Sequence, residues 1–487
     1  VTGTLIAIDC GTTSTRVLAF ARDGRVVASR GSGLQQSFPA PGWVEQDAEA
    51  IWELTRAALA DVLGETGPVE GIGITNQRET VVAWDRATGR PLAPAIVWQD
   101  RRTADLCDQL RDEGREAHVQ ARTGLLLDPY FSATKMRWLL DKVPAVRAAA
   151  DAGRLAFGTV DSWLLFKLTG QHRTDVTNAS RTLLMSLADG AWDAELCRLF
   201  GVPMDALPEI RPSVADFGAA KGFGAPLRVA GVAGDQQAAA LGQGCLAPGA
   251  AKCTYGTGIF LLAHAGEMPP APGGRLIATR AAAADATPAF ALEGSVFVGG
   301  DAVKWLRDRL GIIASSAETE ALARSVPDSG GVVFVPAFAG LGAPWWEPRA
   351  TGCLLGLTGA SGRAEIARAT LEAMGNQTAD LLEALDGEGV RPEVLRVDGG
   401  MTANDWLCQD LADATGLPVV RPREIETTAL GAAILAGVGL GLFRDAADAV
   451  AGMAGTDREF RPRMEPEAHA ARRARWHRAI AQVRAGV

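Results

Sequence analysis

The chain has 487 residues, 47% of them hydrophobic, and a net charge of −9. That length exceeds what one hydrophobic core ordinarily supports, so two or three domains are expected. The acidic balance, without a basic run, excludes nucleic acid as the main partner, and no apolar run reaches the ~18 residues of a membrane helix. The nearest candidates, 332–346 and 429–443, are broken by Gly or Pro. Seven scattered cysteines without a CxxC pair, and five histidines without ligand spacing, point to reduced thiols in a cytoplasm rather than disulfides or zinc. No basic region followed by an apolar stretch opens the chain, so no secretion signal is expected.

Residues 5–8 read as a buried strand ending on the carboxylate of Asp9. Cys10 and Gly11 lead into Thr12, Thr13 and Ser14, then Arg16 and a second apolar run, 17–20. Asp23-Gly24 is a strong turn, and 25–28 returns as a third strand. The first turn of this meander suits phosphate oxygens. Gly lets the backbone approach, N–H and O–H groups donate, and Asp9 can hold a hydrated Mg2+. A plain Thr-rich hairpin has the same residues.

Asp47 is placed to cap a helix running to about residue 63. A strand at 69–75 runs into Asn76-Gln77-Arg78-Glu79-Thr80 before another strand at 81–84. Five polar residues after a buried strand are either a surface turn or a ligand cluster at a strand end, where α/β folds bind. Residues 96–103 repeat the pattern, with Trp98 and charged groups opening a helix. The loop 128–132 precedes a helix carrying Lys135 and Trp138; 161–168 reads as a short buried helix and 175–181 as a polar loop. A strand at 227–232 leads through Gly234-Asp235-Gln236-Gln237 into a helix at 238–244.

Strands at 251–255 and 259–263 flank a second tip, Gly256-Thr257-Gly258, about half the chain length after Gly11. A Gly-Thr hairpin recurring there suggests two similarly built lobes. Beyond it lie a helix at 301–310, a strand at 332–338, a long helix at 363–385 and a strand ending in Asp398-Gly399-Gly400. The helix 427–442, made of small residues, is expected to pack on a sheet, and the charged tail from 465 to form a solvated helix.

Walker-type, GxGxxG, kinase VAIK/HRD and GxSxG motifs are all absent. Two Gly/Thr hairpins, the strand-end carboxylates Asp9, Asp235 and Asp398, and the 76–80 cluster remain. In-line phosphoryl transfer needs such parts: phosphate donors, a metal carboxylate and a carboxylate at the acceptor hydroxyl. The segments IDCGTTSTR, GITNQRET, IVWQDRRT, DPYFSATK, GTVDSWL, TNASRT, AGDQQAAALGQ, TYGTG, ALEG, WLRD, PAFAGLGAPWW, RVDGG and TALGAA resemble the FGGY carbohydrate kinases, and within them the glycerol kinases.

The resemblance implies an α/β fold of two duplicated actin/hexokinase-type (ribonuclease H-like) domains with an interdomain cleft. Residues 1–243 would carry the polyol site and phosphate hairpin, and 244–487 the adenine nucleotide site. The implied activity is ATP-dependent phosphorylation of glycerol to sn-glycerol 3-phosphate, the first step of glycerol catabolism, with Mg2+, in a cytoplasmic homodimer or homotetramer. By motif, Arg78, Glu79, Trp98, Tyr130, Asp235, Gln236 and Phe260 fall at glycerol, with Asp235 as general base. Thr12, Thr13, Ser14 and Arg16 match the ATP/ADP phosphate hairpin, and Thr257, Gly300, Lys304, Gly400 and Asn404 fall at the nucleotide. Asp9 and Asp235 match the Mg2+ site. Lys304 and Asp301 depart from the family's usual Gln and small residue, and 219–224 departs from the loop that binds fructose 1,6-bisphosphate in some members. The alternatives are a kinase of the same family acting on a pentulose, tetritol or gluconate, and an actin-like ATPase.

Overall fold

The computed structural model describes residues 3–271, 275–285 and 287–486. β1 (Thr4–Cys10), β2 (Ser14–Phe20) and β3 (Val26–Gly33) form the expected meander. β4 (Val69–Asn76), β5 (Ala219–Ala220) and β6 (Leu227–Gly234) complete a sheet ordered β5-β6-β4-β1-β2-β3. β4 pairs parallel with both β1 and β6, so Cys10, Asn76 and Gly234 end side by side at one edge. Brought together there, the ends of parallel strands form the crevice in which α/β sheets take their ligands.

The second sheet contains β7 (Ala251–Tyr255), β8 (Ile259–Gly266), β9 (Ile277–Arg280), β10 (Phe290–Val296), β11 (Leu395–Asp398), β12 (Val419–Pro422) and β13 (Thr456–Phe460). Its order is β9-β10-β8-β7-β11-β12-β13. Within it, β10-β8-β7-β11-β12 repeats β3-β2-β1-β4-β6: three strands joined antiparallel, then two added parallel. The half-length echo of the two hairpins is therefore a duplication of topology.

The helices include α1 (Ala48–Glu65), α2 (Ser132–Lys142), α3 (Asp235–Gly242), α4 (Gly300–Asp308), α5 (Arg363–Gly387), α6 (Asp405–Thr415), α7 (Thr427–Gly439) and α8 (Pro466–Ala485). Asp47 caps α1 by accepting from the Glu49 N–H, and α1 buries Ile51, Leu59 and Val62 against one face of the first sheet. The other face is covered from the far half of the chain. α7 lays Ala429, Ala432, Ala433 and Ala436 on Leu5, Ala7, Leu18 and Phe20. The approach is backbone to backbone: a Cβ on Gly73 would stand 2.0 Å from the Ala432 carbonyl oxygen, and one on Gly431 1.9 Å from that of Ala238. The small residues of α7 serve this close packing.

Three local expectations are corrected. The polar loop expected over 175–181 contains a short helix, Val176–Ala179, because Asp175 accepts from the N–H groups of Thr177 and Asn178. The strand expected over 332–338 is only Val333–Val335. The tail helix α8 is not a solvated surface helix: Arg472, Arg473, Trp476 and Ile480 are buried. Arg472 pairs with Asp410 and Arg473 with Asp380. Two paired arginines open its inward face ahead of Trp476, Ala479 and Ile480, so a search for apolar periodicity finds only the second half of that face.

Candidate active site

Asp9 ends the apolar run of β1, and Arg16 stands opposite it in the β1–β2 register. Gly11 N–H closes the hairpin on the Ser14 carbonyl at 2.9 Å, leaving Thr12, Thr13 and Ser14 at the tip. The tip is braced from outside: Gln46 donates to the Thr12 carbonyl at 2.6 Å, and Trp98 Nε1 to Thr12 Oγ1 at 2.9 Å. Burial pushes the Asp9 carboxyl up to about 6; Arg16 opposes the shift, while Asp235 and Glu426 add to it. Arg16 is divided between Asp9, at 3.3 Å, and Glu426, at 2.5 Å.

The Asn76–Thr80 segment is a buried polar cluster, not a surface turn. Asn76 exchanges side-chain hydrogen bonds with Asn178, at 2.9 and 3.2 Å. Glu79 has φ of 62°, a left-handed conformation that costs a non-glycine residue of order 1 kcal/mol or more. The turn is held by Thr80 N–H on the Arg78 carbonyl at 2.7 Å, and by Ser132 Oγ, at the start of α2, on the Glu79 carbonyl at 2.9 Å. Strain maintained in this way keeps two charged side chains together at a strand end.

Arg78 Nε lies 3.1 Å from Asp235 Oδ1. Asp235 opens α3, directly after β6 and three residues before the helix expected from the sequence. Its Oδ1 also accepts from the Gln236 N–H at 2.7 Å, so Oδ2 has no partner among the described residues. The Trp98 and Tyr130 rings meet edge to face at 5.5 Å, both half-buried. Lys135 of α2, fully buried, donates to the Tyr130 carbonyl at 2.7 Å and fixes that loop; burial lowers its pKa to about 8, opposed by Glu79, Asp100 and Asp128. The structure thus brings Arg78, Glu79, Trp98, Tyr130 and Asp235 to one place, beside Thr12 and Asp9.

The second sheet turns a polar face toward this cluster. Gln236 Oε1 accepts from Lys252 of β7, and Phe260 of β8 stands across from Ser295 of β10, whose Oγ donates to Glu293 at 3.2 Å. Thr257, Gly300 and Gly400 gather at the second hairpin. Gly300 N–H bonds the Gly256 carbonyl at 2.8 Å, and Asp301 N–H the Thr257 carbonyl at 3.2 Å. A Cβ on Gly300 would meet the Gly256 oxygen at 2.6 Å, whereas Gly400 faces open space. Asn404 caps α6 through its side-chain oxygen and donates to Thr319 Oγ1 at 3.4 Å. Lys304 and Asp301 pair with one another at 2.8 Å on the exposed side of α4, so the two departures from the family pattern compensate in charge.

Family models for the N- and C-terminal domains of the FGGY family of carbohydrate kinases match residues 4–242 and 251–440. The chain belongs to the FGGY family of carbohydrate kinases. A protein named glycerol kinase from Rhodospirillum rubrum is 51% identical, over 98% of each chain, and one from Rhodospirillum centenum is 52% identical, over 99% of this chain and 98% of that one. The crystal structure of Plasmodium falciparum glycerol kinase with ADP superposes with a TM-score of 0.93 at 33% identity, covering 99% of this chain and 98% of that one. The two-lobed actin/hexokinase-type fold of this FGGY kinase agrees with these similarities.

Three buried or half-buried charges at the site escaped the sequence reading: Arg181, Glu293 and Glu426. Arg181 bonds Glu79 at 2.6 Å, Glu293 bonds Arg78 at 2.5 Å, and Glu426 bonds Arg16 at 2.5 Å. The segments TNASRT and ALEG held the first two, but nothing local in those segments indicates what each charge faces. Asp398 is likewise buried: it accepts from Gln243 at 2.7 Å and from Thr427, while its Oδ1 has no partner among the described residues.

Proposed function

We propose that this protein transfers the γ-phosphoryl group of ATP to a terminal hydroxyl of glycerol, giving sn-glycerol 3-phosphate and ADP. The observation that carries the reading is Asp235: one oxygen is tied to Arg78 and a backbone N–H, the other is open, and the side chain is 31% exposed at the strand-end crevice. An alcohol is too weak an acid to ionise near neutral pH, so Asp235 Oδ2 takes the proton as the new O–P bond forms. The bond from the γ-phosphorus to the bridging oxygen breaks, and ADP leaves with its electron pair.

The surrounding residues divide the remaining work. Arg78 donates to one acceptor hydroxyl and Glu79, whose Oε1 is taken by Arg181, accepts from another through its second oxygen. Trp98, Tyr130 and Phe260 cover the carbon side, and Gln236 supplies a further amide. A pocket whose buried donors need hydroxyl partners discriminates strongly against acceptors lacking them. The Thr12, Thr13 and Ser14 hydroxyls and N–H groups, with Arg16, receive the phosphates. Thr257, Gly300, Lys304, Gly400 and Asn404 receive the rest of the nucleotide from the opposite hairpin. Full-length similarity to proteins named glycerol kinase supports glycerol as the acceptor.

The site fits a divalent cation. Asp9 is a buried carboxylate that Arg16, shared with Glu426, offsets only in part, and hard oxygen ligands of this kind suit Mg2+. Asp9 would hold the ion, which when bound would neutralise charge on the triphosphate, while the open oxygen of Asp235 beside it stays available for the alcohol proton.

The family resemblance supports a homodimer or homotetramer, which light scattering tests. Seven scattered cysteines without a CxxC pair fit a reducing compartment such as the cytoplasm. No helix among the described residues is long and apolar enough to cross a membrane. The test of the function is a coupled ADP-release assay with Mg2+, ATP and a panel of glycerol, erythritol, xylulose and gluconate, with the product identified by phosphorus NMR. Glycerol should give the highest kcat/KM. A higher value for xylulose or gluconate would assign a different member of the family's chemistry, and ADP release without a phosphorylated product would point to an ATPase.

A further inference from the structure

Glu293 sits within β10 of the second sheet, fully buried, yet both of its oxygens face arginines of the first lobe. Oε2 takes Arg78 Nη1 at 2.5 Å, while Oε1 takes Arg78 Nη2 and Arg181 Nη2, each at 3.1 Å. Arg181, also fully buried and flanked by the Tyr130 and Phe131 rings, then bonds Glu79 at 2.6 Å. One carboxylate of the second lobe therefore orients the polyol donor directly and the polyol acceptor through a single intermediary.

Arg78 has five N–H groups in a rigid fork. Glu293 takes two, Gln237 Oε1 takes one at 3.3 Å, and Nε faces Asp235. A single Nη2 hydrogen is left, and the pair with Glu293 decides where it points. Burial would raise the Glu293 pKa, but Arg181 and Arg78 hold it down at about 2, so the charge is present at every working pH. Buried ion pairs add little net stability over an apolar packing of the same volume. What such a network provides here is direction.

Resting on the reading of this cluster as the polyol site, we propose that Glu293, acting with Arg181, is a positioning residue for the acceptor alcohol, and that the polyol pocket is complete only while this contact between the lobes is made. The test is steady-state kinetics of Glu293→Gln and Glu293→Asp with glycerol and ATP varied separately, alongside thermal melts. Glu293→Gln keeps the shape and loses the charge. It should raise the glycerol KM about tenfold or more and leave the ATP KM within about threefold. Glu293→Asp, which keeps the charge, should recover part of the loss.

A glycerol KM within about twofold of wild type, or glycerol and ATP KM values rising together with a lowered Tm, would overturn the positioning role. Should Glu293→Gln fail to melt cooperatively, Arg181→Lys carries the test. It keeps the cation but cannot bridge two carboxylates, and the same glycerol-selective rise is expected, with its absence overturning the proposal. A wild type that phosphorylates no polyol sinks the functional reading itself; an active wild type with an unaffected Glu293→Gln sinks only the positioning role.

Discussion

Replacing Asp235 by Asn separates the chemistry from the architecture. Asn keeps one oxygen, so the contacts now made by Oδ1, from the Gln236 N–H at 2.7 Å and Arg78 Nε at 3.1 Å, can both persist. The amide nitrogen then occupies the place of the open Oδ2 and cannot accept a proton. The stability cost is small: a negative charge in the first turn of α3 contributes about 0.3–1 kcal/mol, and the pair with Arg78 is screened on the side where Asp235 is exposed. Loss of a general base costs about 10²–10⁴ in rate, or roughly 3–5 kcal/mol of barrier. Asp235→Asn should therefore melt within a few degrees of wild type, bind glycerol with little change by calorimetry, and lose at least about a hundredfold in kcat. If kcat stayed within about threefold while the protein remained folded, the proton would have to go elsewhere and the assignment of Asp235 would be wrong.

Arg78→Ala leaves the fully buried Glu293 with one arginine, Arg181, and the Ser295 hydroxyl, so a loss of about 3–5 kcal/mol in chemical denaturation is expected together with a raised glycerol KM. Arg78→Lys should rescue little of either, because a point charge cannot span both Glu293 oxygens. For Asp9, the native carboxyl keeps its proton up to about pH 6 against an ordinary 3.8, so the apo protein loses stability as pH rises through that window. Cation binding has the opposite sign, since it needs the ionised form. The Mg2+ concentration for half-maximal activity should be flat above about pH 6 and climb below it; a flat profile throughout would remove Asp9 as the holder of the ion. Gly73→Ala places a methyl 2.0 Å from the Ala432 oxygen and should force α7 off the first sheet, costing about 1–3 kcal/mol or more in a urea titration. An unchanged midpoint would mean that the α7 contact is not close-packed in solution.

Local signals in the chain were enough to place the strands of the two hairpins, β4, β6, β11 and the longer helices, but not β9, β10, β12 and β13 of the second sheet. Apolar runs ending on Asp9 and before Asp235 mark strand ends, Asp47 marks a helix start, and the Gly-Thr tips mark turns. Each depends on the preferences of a few neighbouring residues, so the linear order carries them. The short helix Val176–Ala179 lies inside the expected polar loop for a related reason: an Asp suits loops as well as caps, and only the bonds of Asp175 to the Thr177 and Asn178 N–H groups distinguish the two.

By itself, then, the sequence determined which residue types stand at the strand ends, that the hairpin recurs at half length, and, through the family resemblance, which side chains to look for. Tertiary structure alone decided the partners of the buried charges: Glu293 reaches Arg78 across 215 positions, Glu426 reaches Arg16 across 410, and Arg472 reaches Asp410 across 62. It alone showed that α7, from the second half, covers the first sheet. The physical reason is that a buried ion must find its counter-ion wherever packing brings one within about 3 Å. Separation along the chain does not limit that choice, so no local pattern records it.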